Sequence, residues 1–316
     1  MAELALLSLV AVIIGINALL AISLNIQFGE AGLLNFGVAG FFAVGAYTSA
    51  VLTTPVDQTG FVVRTVGFDL PIVVGILAGT ILAGIVGLGI ATTSIRLDGD
   101  YLAIVTLGFA EIIRLLIRNV ESVTGGVQAL RDIRRPLSDV FGANYSMFYF
   151  VLVLGLMIGI LAVFYRLSNS AFGRVLHAIR EDEIVPKALG KDTIVFKLKA
   201  FALGAAVAGL AGALWAHYSY AITPAMFNPV KTFDIWAAVI IGGAGSYLGA
   251  IGGTIFIIGI AQLTRFIPET VPFSAELPLL RQILIASLMI LILYYRPYGL
   301  LGNKERNLAG TSGGGS

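Results

Sequence analysis

The sequence has no cysteine among its 316 residues and only two histidines, His177 and His217. The lack of cysteine excludes disulfides, thiolate nucleophiles and cysteine metal sites, and it leaves the redox compartment open. Two histidines far apart give no zinc-binding spacing. There is no G-x-S-x-G elbow, and no carboxylate pair stands out within an apolar segment. We therefore expect no catalytic centre, no metal site and no cofactor in this chain.

Charged residues are also scarce. Only 12% of the residues are charged and 58% are hydrophobic, whereas a soluble domain carries about 25% charged residues. Because this small number of charged residues cannot cover a surface that faces water, the excess of hydrophobic residues must face lipid. The formal net charge of +2 gives no basic bias toward nucleic acid. The composition predicts an integral membrane protein with lipid, and no nucleic acid, around it.

Apolar runs long enough to cross a bilayer core of about 30 Å predict seven transmembrane segments. Backbone groups in lipid must be satisfied within the segment, so these spans should be helices. We predict an all-α polytopic fold with a single transmembrane domain over residues 1–302 and a tail at 303–316, of which 310–316 has the composition of a Gly/Ser linker. The seven predicted spans are 4–25, 33–53, 70–95, 101–118, 147–165, 200–222 and 277–295.

Two glycine-rich stretches interrupt this pattern. The stretch 233–264 contains Gly242, Gly243 and Gly245 and is too short for two full spans, so we predict a re-entrant hairpin that turns at these glycines. A similar glycine pattern begins at Gly29. Whether 29–47 is a full span or a broken helix stays open, and with it the side of the N-terminus.

The loop 166–199 carries the strongest topological signal. By the positive-inside rule its cations place it in the cytoplasm, and the cations of the C-terminal tail favour the same side. A smaller cluster in 119–146, containing Arg131, Arg134 and Arg135, then falls on the outer side. The loop's seven cations are Arg166, Arg174, Arg180, Lys187, Lys191, Lys197 and Lys199.

Part of this loop has helical periodicity. Val175, Leu176 and Ile179 recur at helical spacing, and Gly190 suits a helix C-cap. We predict a short amphipathic helix that ends near Gly190 and is kinked at Pro186. The alternative is an ordinary juxtamembrane loop. His177 lies in this segment and is expected to be a solvated or interface residue.

Seven motifs in order resemble the permease subunits of branched-chain amino-acid ABC importers of the LivM type, over residues from about 15 to 302. The resemblance implies a transmembrane subunit of the prokaryotic plasma (inner) membrane that imports branched-chain or other neutral amino acids. The motifs are GLLNFG at 32–37, LDGDYLAIVTLG at 97–108, TGG at 124–126, FGR with AIREDE within 172–183, AGLAG at 208–212, IGGAGS at 241–246 and RPYGLL at 296–301.

The resemblance also implies partners. Such permeases work with a second homologous permease, two ABC ATPase subunits and an external substrate-binding protein. This chain has no GxxxxGK[ST] motif, so ATP and Mg are expected in the ATPase subunits. The loop would be the coupling loop, with Pro186 departing from the family pattern. Its ATPase-coupling residues would be Gly173, Arg174, Ala178, Ile179, Arg180, Glu181, Asp182, Glu183, Ala188, Leu189 and Gly190.

Polar residues near the two glycine-rich stretches are candidates for the translocation pathway. Amide side chains and free backbone groups there could face the ammonium and carboxylate of an amino acid. The alternative is hydrogen bonding between helices. The candidates are Asn25, Gln27, Glu30, Asn35, Gly242, Gly243 and Gly245.

Two other functions stay open at this point. One is an ABC permease for urea or short amides. The other is an autonomous secondary transporter, which would need a coupling-ion carboxylate within a span; Glu30 and Glu111 are its candidates.

The orientation of the cation-rich loop is testable because the chain has no native cysteine. Asn169→Cys and Lys191→Cys variants should react with a membrane-impermeant thiol reagent in inverted vesicles but not in intact cells. Reaction of either variant in intact cells would overturn the cytoplasmic assignment.

Overall fold

The computed structural model describes residues 2–56, 66–97, 99–263, 277–296 and 299–301, and the regular elements in this part of the chain are helices. A π-helical turn, Asn25–Glu30, continues α1, and short 3-10 turns lie at Gly142–Asn144 and Pro224–Phe227. The α-helices are α1 (Ala2–Leu24), α2 (Val38–Thr53), α3 (Ile72–Ser94), α4 (Gly99–Asn119), α5 (Glu121–Thr124), α6 (Ser138–Phe141), α7 (Tyr145–Ser168), α8 (Ala171–Glu181), α9 (Ile184–Ala188), α10 (Thr193–Ser219), α11 (Pro229–Gly242), α12 (Tyr247–Leu263) and α13 (Leu277–Tyr295).

A helix lies at each of the seven predicted spans, which confirms the all-α membrane fold. Four of these helical segments are long and apolar enough to cross a membrane. The other three differ because α2 and the apolar part of α13 are shorter, and α4 carries charged residues such as Asp100, Glu111 and Arg114. Seven full spans are therefore not established by length and composition. The four segments are Leu7–Glu30, Ile72–Ser94, Tyr145–Ser168 and Thr193–Ser219.

Small residues bring α2, α3 and α10 into close contact. Gly45 of α2 faces Gly209 of α10 so closely that a Cβ on Gly45 would clash with the backbone of Gly209. A Cβ on Gly79 of α3 would lie 2.6 Å from the carbonyl oxygen of Gly45. Membrane helices associate through such packing because lipid provides little hydrophobic drive between them. These three helices form the tightest part of the bundle, and α1 packs against α10 and also against α7, α11 and α12.

The predicted hairpin is present as α11 and α12. The chain turns between them at residues 243–246, where Gly243 has φ +112° and Gly245 has φ +88°, a backbone region that strongly favours glycine. Gly242 and Gly249 face each other across the hairpin, and a Cβ on Gly249 would lie 2.5 Å from the carbonyl oxygen of Gly242. The close approach of α11 and α12 thus depends on their glycines.

The two ends of the bundle are built differently. At the end where α7 begins, Leu130 and Ile222 exchange backbone hydrogen bonds of 2.9 and 3.0 Å, and the Arg134 carbonyl accepts a bond from His217 Nδ1 at 2.7 Å. At the other end, α7 is followed directly by α8. Because α7 is one continuous helix, the arginine cluster lies at the end opposite the cation-rich loop, as the sequence predicted.

Candidate functional site

The helix of α1 does not continue into α2. After the π turn the chain is irregular from residue 31 to 37, with Gly32 at φ +70°. The amide of Leu33 donates to the Gln27 carbonyl at 2.8 Å, and that of Gly32 donates to the Phe28 carbonyl at 3.1 Å. The segment 29–47 is therefore broken, which answers the question that the sequence left open. We call residues 25–32 the first break and residues 243–246 the second break.

The two breaks contact each other. The amide of Gly245 donates to Asn25 Oδ1 at 2.9 Å, and a Cβ on Gly29 would lie 2.5 Å from the Gly245 nitrogen. The C-terminal segment packs behind the second break, because the amides of Leu300 and Leu301 bond to the last carbonyls of α11 at 2.8 and 3.0 Å. Residues distant in the sequence thus converge on one junction.

Helix α8 is attached to this junction by two side chains. Arg180 Nη1 donates to the Gly29 carbonyl, and the Arg180 side chain packs against Gly32, where a Cβ would lie 3.2 Å from Arg180 Cγ. His177 Nε2 forms a hydrogen bond with Glu30 Oε2. The His177 side chain is 26% exposed, so it is partly solvated as expected, but its bond to a buried carboxylate of the first break was not predicted.

Glu30 is the most buried acidic group of the junction, with 1% of its surface exposed. Its Oε2 also accepts a hydrogen bond from Ser168 Oγ at 2.9 Å, whereas its Oε1 is buried and has no hydrogen-bond partner. Glu30 lines a cavity of about 520 Å³ between α7 and the second break. The cavity's other polar lining residues include Ser168, Asn169 and Ser246, and its apolar ones include Ile158, Leu161 and Leu248.

Two of the pathway candidates serve the packing of the bundle. Gln27 Nε2 donates to the Phe201 carbonyl at 2.8 Å, and Gln27 Oε1 accepts from Asn35 Nδ2 at 2.6 Å. Asn35 Oδ1 accepts from the Gly37 amide at 2.7 Å. Both side chains are fully buried among protein atoms, so hydrogen bonding between helices accounts for Gln27 and Asn35. Asn25, Glu30 and Gly245 are the candidates that meet at the junction.

The cation-rich loop contains two helices instead of the single kinked helix that was predicted. Ser170 caps α8 by accepting from the Phe172 amide at 3.2 Å, and α8 ends at Glu181. Asp182 Oδ1 then accepts from the Ile184 amide at 2.8 Å and starts α9. Pro186 lies in the first turn of α9, where a missing N–H removes no helical bond. Gly190 follows α9 at φ +74°, in agreement with its predicted capping role.

Several of the predicted coupling residues have partners inside this chain. Gly173 and Ile179 are buried, so they support α8 from within. Glu183 accepts hydrogen bonds from Thr193 at 2.8 Å and Lys197 at 2.5 Å, and it pairs with Lys187 at 3.0 Å. Burial alone would raise the pKa of Glu183, but these hydrogen bonds outweigh it and lower the pKa to about 2. Glu183 therefore stays charged at neutral pH and ties α9 to α10.

An apolar patch on the loop was missed by the sequence reasoning. Ile184 is 74% exposed, Val185 53% and Leu189 75%; we call these three residues the loop patch. Only Leu189 was among the predicted coupling residues, and the sequence reasoning assigned no role to Ile184 or Val185. The loop also exposes Arg174, Glu181, Asp182, Ala188 and Gly190, while Ala178 is half-buried.

Comparison with known proteins identifies the family. Residues 6–293 match the family model described as branched-chain amino acid transport system / permease component. The chain belongs to this permease family. It is 34% identical to the high-affinity branched-chain amino acid transport system permease protein LivM of Escherichia coli, over 90% of this chain and 68% of that protein.

This permease also resembles other members of the family. It is 30% identical to a LivM protein of Methanocaldococcus jannaschii, over 95% of this chain and 94% of that protein. It is 26% identical to the permease protein LivH of Escherichia coli, over 91% of this chain and 92% of that protein. No solved structure matches the chain.

The second break provides a direct test of the junction's geometry. Gly245→Leu should destabilise this permease by about 1–3 kcal/mol, because Leu is strained at positive φ. Its Cβ would also lie 3.1 Å from Arg180 Nη1 and 3.3 Å from the Gly29 carbonyl. The measurement is thermal unfolding of the purified protein in detergent.

Gly259→Leu is the matched control, since a Cβ at Gly259 in the same hairpin has nothing within 4 Å. Equal unfolding temperatures for the two variants would contradict the strained, crowded turn.

Proposed function

We propose that this chain is the permease subunit of an ATP-driven importer of branched-chain or other neutral amino acids. The names of its LivM and LivH relatives supply the substrate class. The observation that carries the proposal is the attachment of α8 to the first break through Arg180 and His177. A loop that only set the orientation of the chain would need its cations but no bonds to a helix break.

The proposed assembly contains four kinds of partner. Both LivM and LivH relatives match this chain, which supports pairing with a second, homologous permease. Two ATPase subunits would bind ATP and Mg on the cytoplasmic side, and an external binding protein would deliver the amino acid. This chain contributes a pathway and its gating, and covalent chemistry takes place in the ATPases.

The proposed topology places α8 and α9 in the cytoplasm with the seven cations of their loop. The seven spans and the α11–α12 hairpin then put the N-terminus outside and the C-terminus inside, with residues 1–302 as one transmembrane domain. Two contacts support this arrangement. The second break lies beside Arg180, and Leu300 bonds to the end of α11 at 2.8 Å, so both belong to the same end of the bundle as α8.

The loop patch is the proposed contact with an ATPase subunit. Three large apolar side chains exposed side by side on a polar loop are typical of an interaction site. Glu181, Asp182 and Arg174 are exposed around it and would supply the polar rim. Arg180 and Glu183 form hydrogen bonds within this chain. They would therefore transmit a displacement of α8 and α9 to the rest of the permease rather than contact the ATPase themselves.

The proposed coupling is mechanical. A displacement of α8 by the ATPase would act on the Gly29 carbonyl through Arg180 and on Glu30 through His177. The first break would pass the motion to the second through the bond from Gly245 to Asn25. Helix breaks are suited to this role because their backbone can change conformation without unwinding a complete helix.

Neither rival function has a comparable observation in its favour. The relatives are named for branched-chain amino acids, which favours those substrates over urea or short amides. A secondary transporter would use Glu30 or Glu111 to bind a coupling ion. The Glu111 carboxylate forms two hydrogen bonds with Arg114 on the same helix, so it already has a counter-charge.

The loop patch can be tested with the double variant Ile184→Asp/Leu189→Asp. Two charges at an apolar contact should weaken ATPase association at least about tenfold, since truncation of a hot-spot residue at the centre of an interface costs about 2 kcal/mol or more. Co-purification of the ATPase subunits and ATP-driven uptake of L-leucine should fall together.

Val127→Asp serves as the control, because Val127 is also largely exposed, at 60%, but belongs to the segment at the opposite end of the bundle. Normal co-purification and uptake by the double variant would remove the loop patch from the proposed interface.

A further inference from the structure

Glu30 has a feature that the coupling proposal does not use. Its Oε2 takes hydrogen bonds from Ser168 and His177, but its Oε1 is buried without a partner. Buried polar atoms in native proteins nearly always have a hydrogen-bond partner, and an exception calls for a ligand, an ion or a water. An acceptor left empty inside a membrane protein is especially costly.

The cavity beside Glu30 is large enough for a small organic ligand. Its volume of about 520 Å³ lies within the roughly 300–1,000 Å³ of typical small-molecule sites. Ser168 and Ser246 add hydroxyl groups to its wall, while Ile158, Leu161 and Leu248 provide aliphatic surface. Tyr165, Asn169 and Tyr247 complete its polar and aromatic lining. The cavity therefore combines one carboxylate with a mixed wall that includes an aliphatic side.

The geometry points to a binding site for a primary ammonium group carried on an aliphatic body, with Glu30 as its counter-charge. This chemistry has two sources in a membrane transporter. One is the transported amino acid, and that version rests on the proposed function. The other is the headgroup of phosphatidylethanolamine, whose acyl chains would lie against the aliphatic wall.

The contacts of Glu30 favour an ammonium group over other cations. A guanidinium binds a carboxylate best through both oxygens at once, but Oε2 already has two donors. A divalent cation needs several oxygen ligands, and among the described residues no group of three His, Asp or Glu side chains could hold one. An ammonium group is a compact charge that can bind to Oε1 alone.

The test uses the complete importer, with its ATPases, in lipid nanodiscs. Glu30→Gln keeps the shape of the side chain but removes its charge, and Glu111→Gln is the control on a different helix. Binding of radiolabelled L-leucine is compared with binding of 4-methylpentanoate, which has the aliphatic body without the ammonium group. Phosphatidylethanolamine retained by the purified complex is counted by native mass spectrometry.

Removal of the charge should weaken ammonium binding about tenfold or more, the usual effect of losing a charged hydrogen bond. Weaker leucine binding in Glu30→Gln, with little binding of 4-methylpentanoate to either variant, assigns the site to the substrate. Loss of phosphatidylethanolamine with unchanged leucine binding assigns it to the lipid. If Glu30→Gln matches Glu111→Gln in both measurements, the proposal is overturned and Oε1 holds only water.

A second variant tests the proposal independently in case Glu30→Gln misfolds. Leu161→Trp fills the cavity from α7 and leaves Glu30 in place, so it should reduce binding of the same ligand; unchanged binding of both ligands would overturn the proposal. ATP-driven leucine uptake by the unmodified importer tests the proposed function separately. Failure of that uptake, with phosphatidylethanolamine still bound through Glu30, would refute the importer and leave the ammonium site standing.

Discussion

The arrangement of this permease depends on satisfying the polar groups that a broken helix exposes. Where α1 gives way to the π turn, the Gly29 carbonyl, the Asn25 side chain and the Glu30 carboxylate all need partners, because lipid offers none. Arg180 donates to the Gly29 carbonyl, the Gly245 amide donates to Asn25 Oδ1, and Ser168 and His177 bond to Glu30 Oε2. Glu30 Oε1 and Asn25 Nδ2 are buried without a hydrogen-bond partner among the described residues. The first break, the second break and α8 therefore form one bonded unit, and none of the three could be displaced without exposing polar groups of another.

The remainder of the bundle is built to hold this unit in place. Glycines of α2, α3 and α10 bring their backbones together, and the Gln27–Asn35 pair fastens the first break to α10 through the Phe201 carbonyl. Glu183 secures the far end of the loop by bonding to Lys197 at the start of α10. In the proposed coupling, motion at the loop patch would be directed toward the two breaks, and the glycine-packed helices would serve as the fixed frame.

Local features of the sequence predicted much of this fold. Apolar runs located the membrane helices, and Gly243 and Gly245 located the turn between α11 and α12. Helical periodicity in the cation-rich loop located a helical segment there. The key contacts could not be predicted this way, because they join residues far apart in sequence: Glu30 and His177 are separated by 147 positions, and Gly29 and Arg180 by 151. Gln27 was predicted as a pathway residue for the same reason. Its hydrogen-bond partner, the Phe201 carbonyl, lies 174 positions away, and no sequence motif indicates that contact. Ile184 and Val185 were missed because helical periodicity does not reveal which face remains exposed.

The central claim is that α8 and the two breaks move as one body during the ATP cycle. Because the chain has no cysteine, spin labels can be placed at Ala171→Cys on α8 and Leu248→Cys beside the second break, both exposed positions. Their separation is measured by double electron–electron resonance in the complete importer, with and without a non-hydrolysable ATP analogue. We expect the distance between these two labels to stay constant while the distance from Ala171→Cys to Leu116→Cys on α4 changes. A change between Ala171→Cys and Leu248→Cys, with the α4 distance constant, would contradict the account.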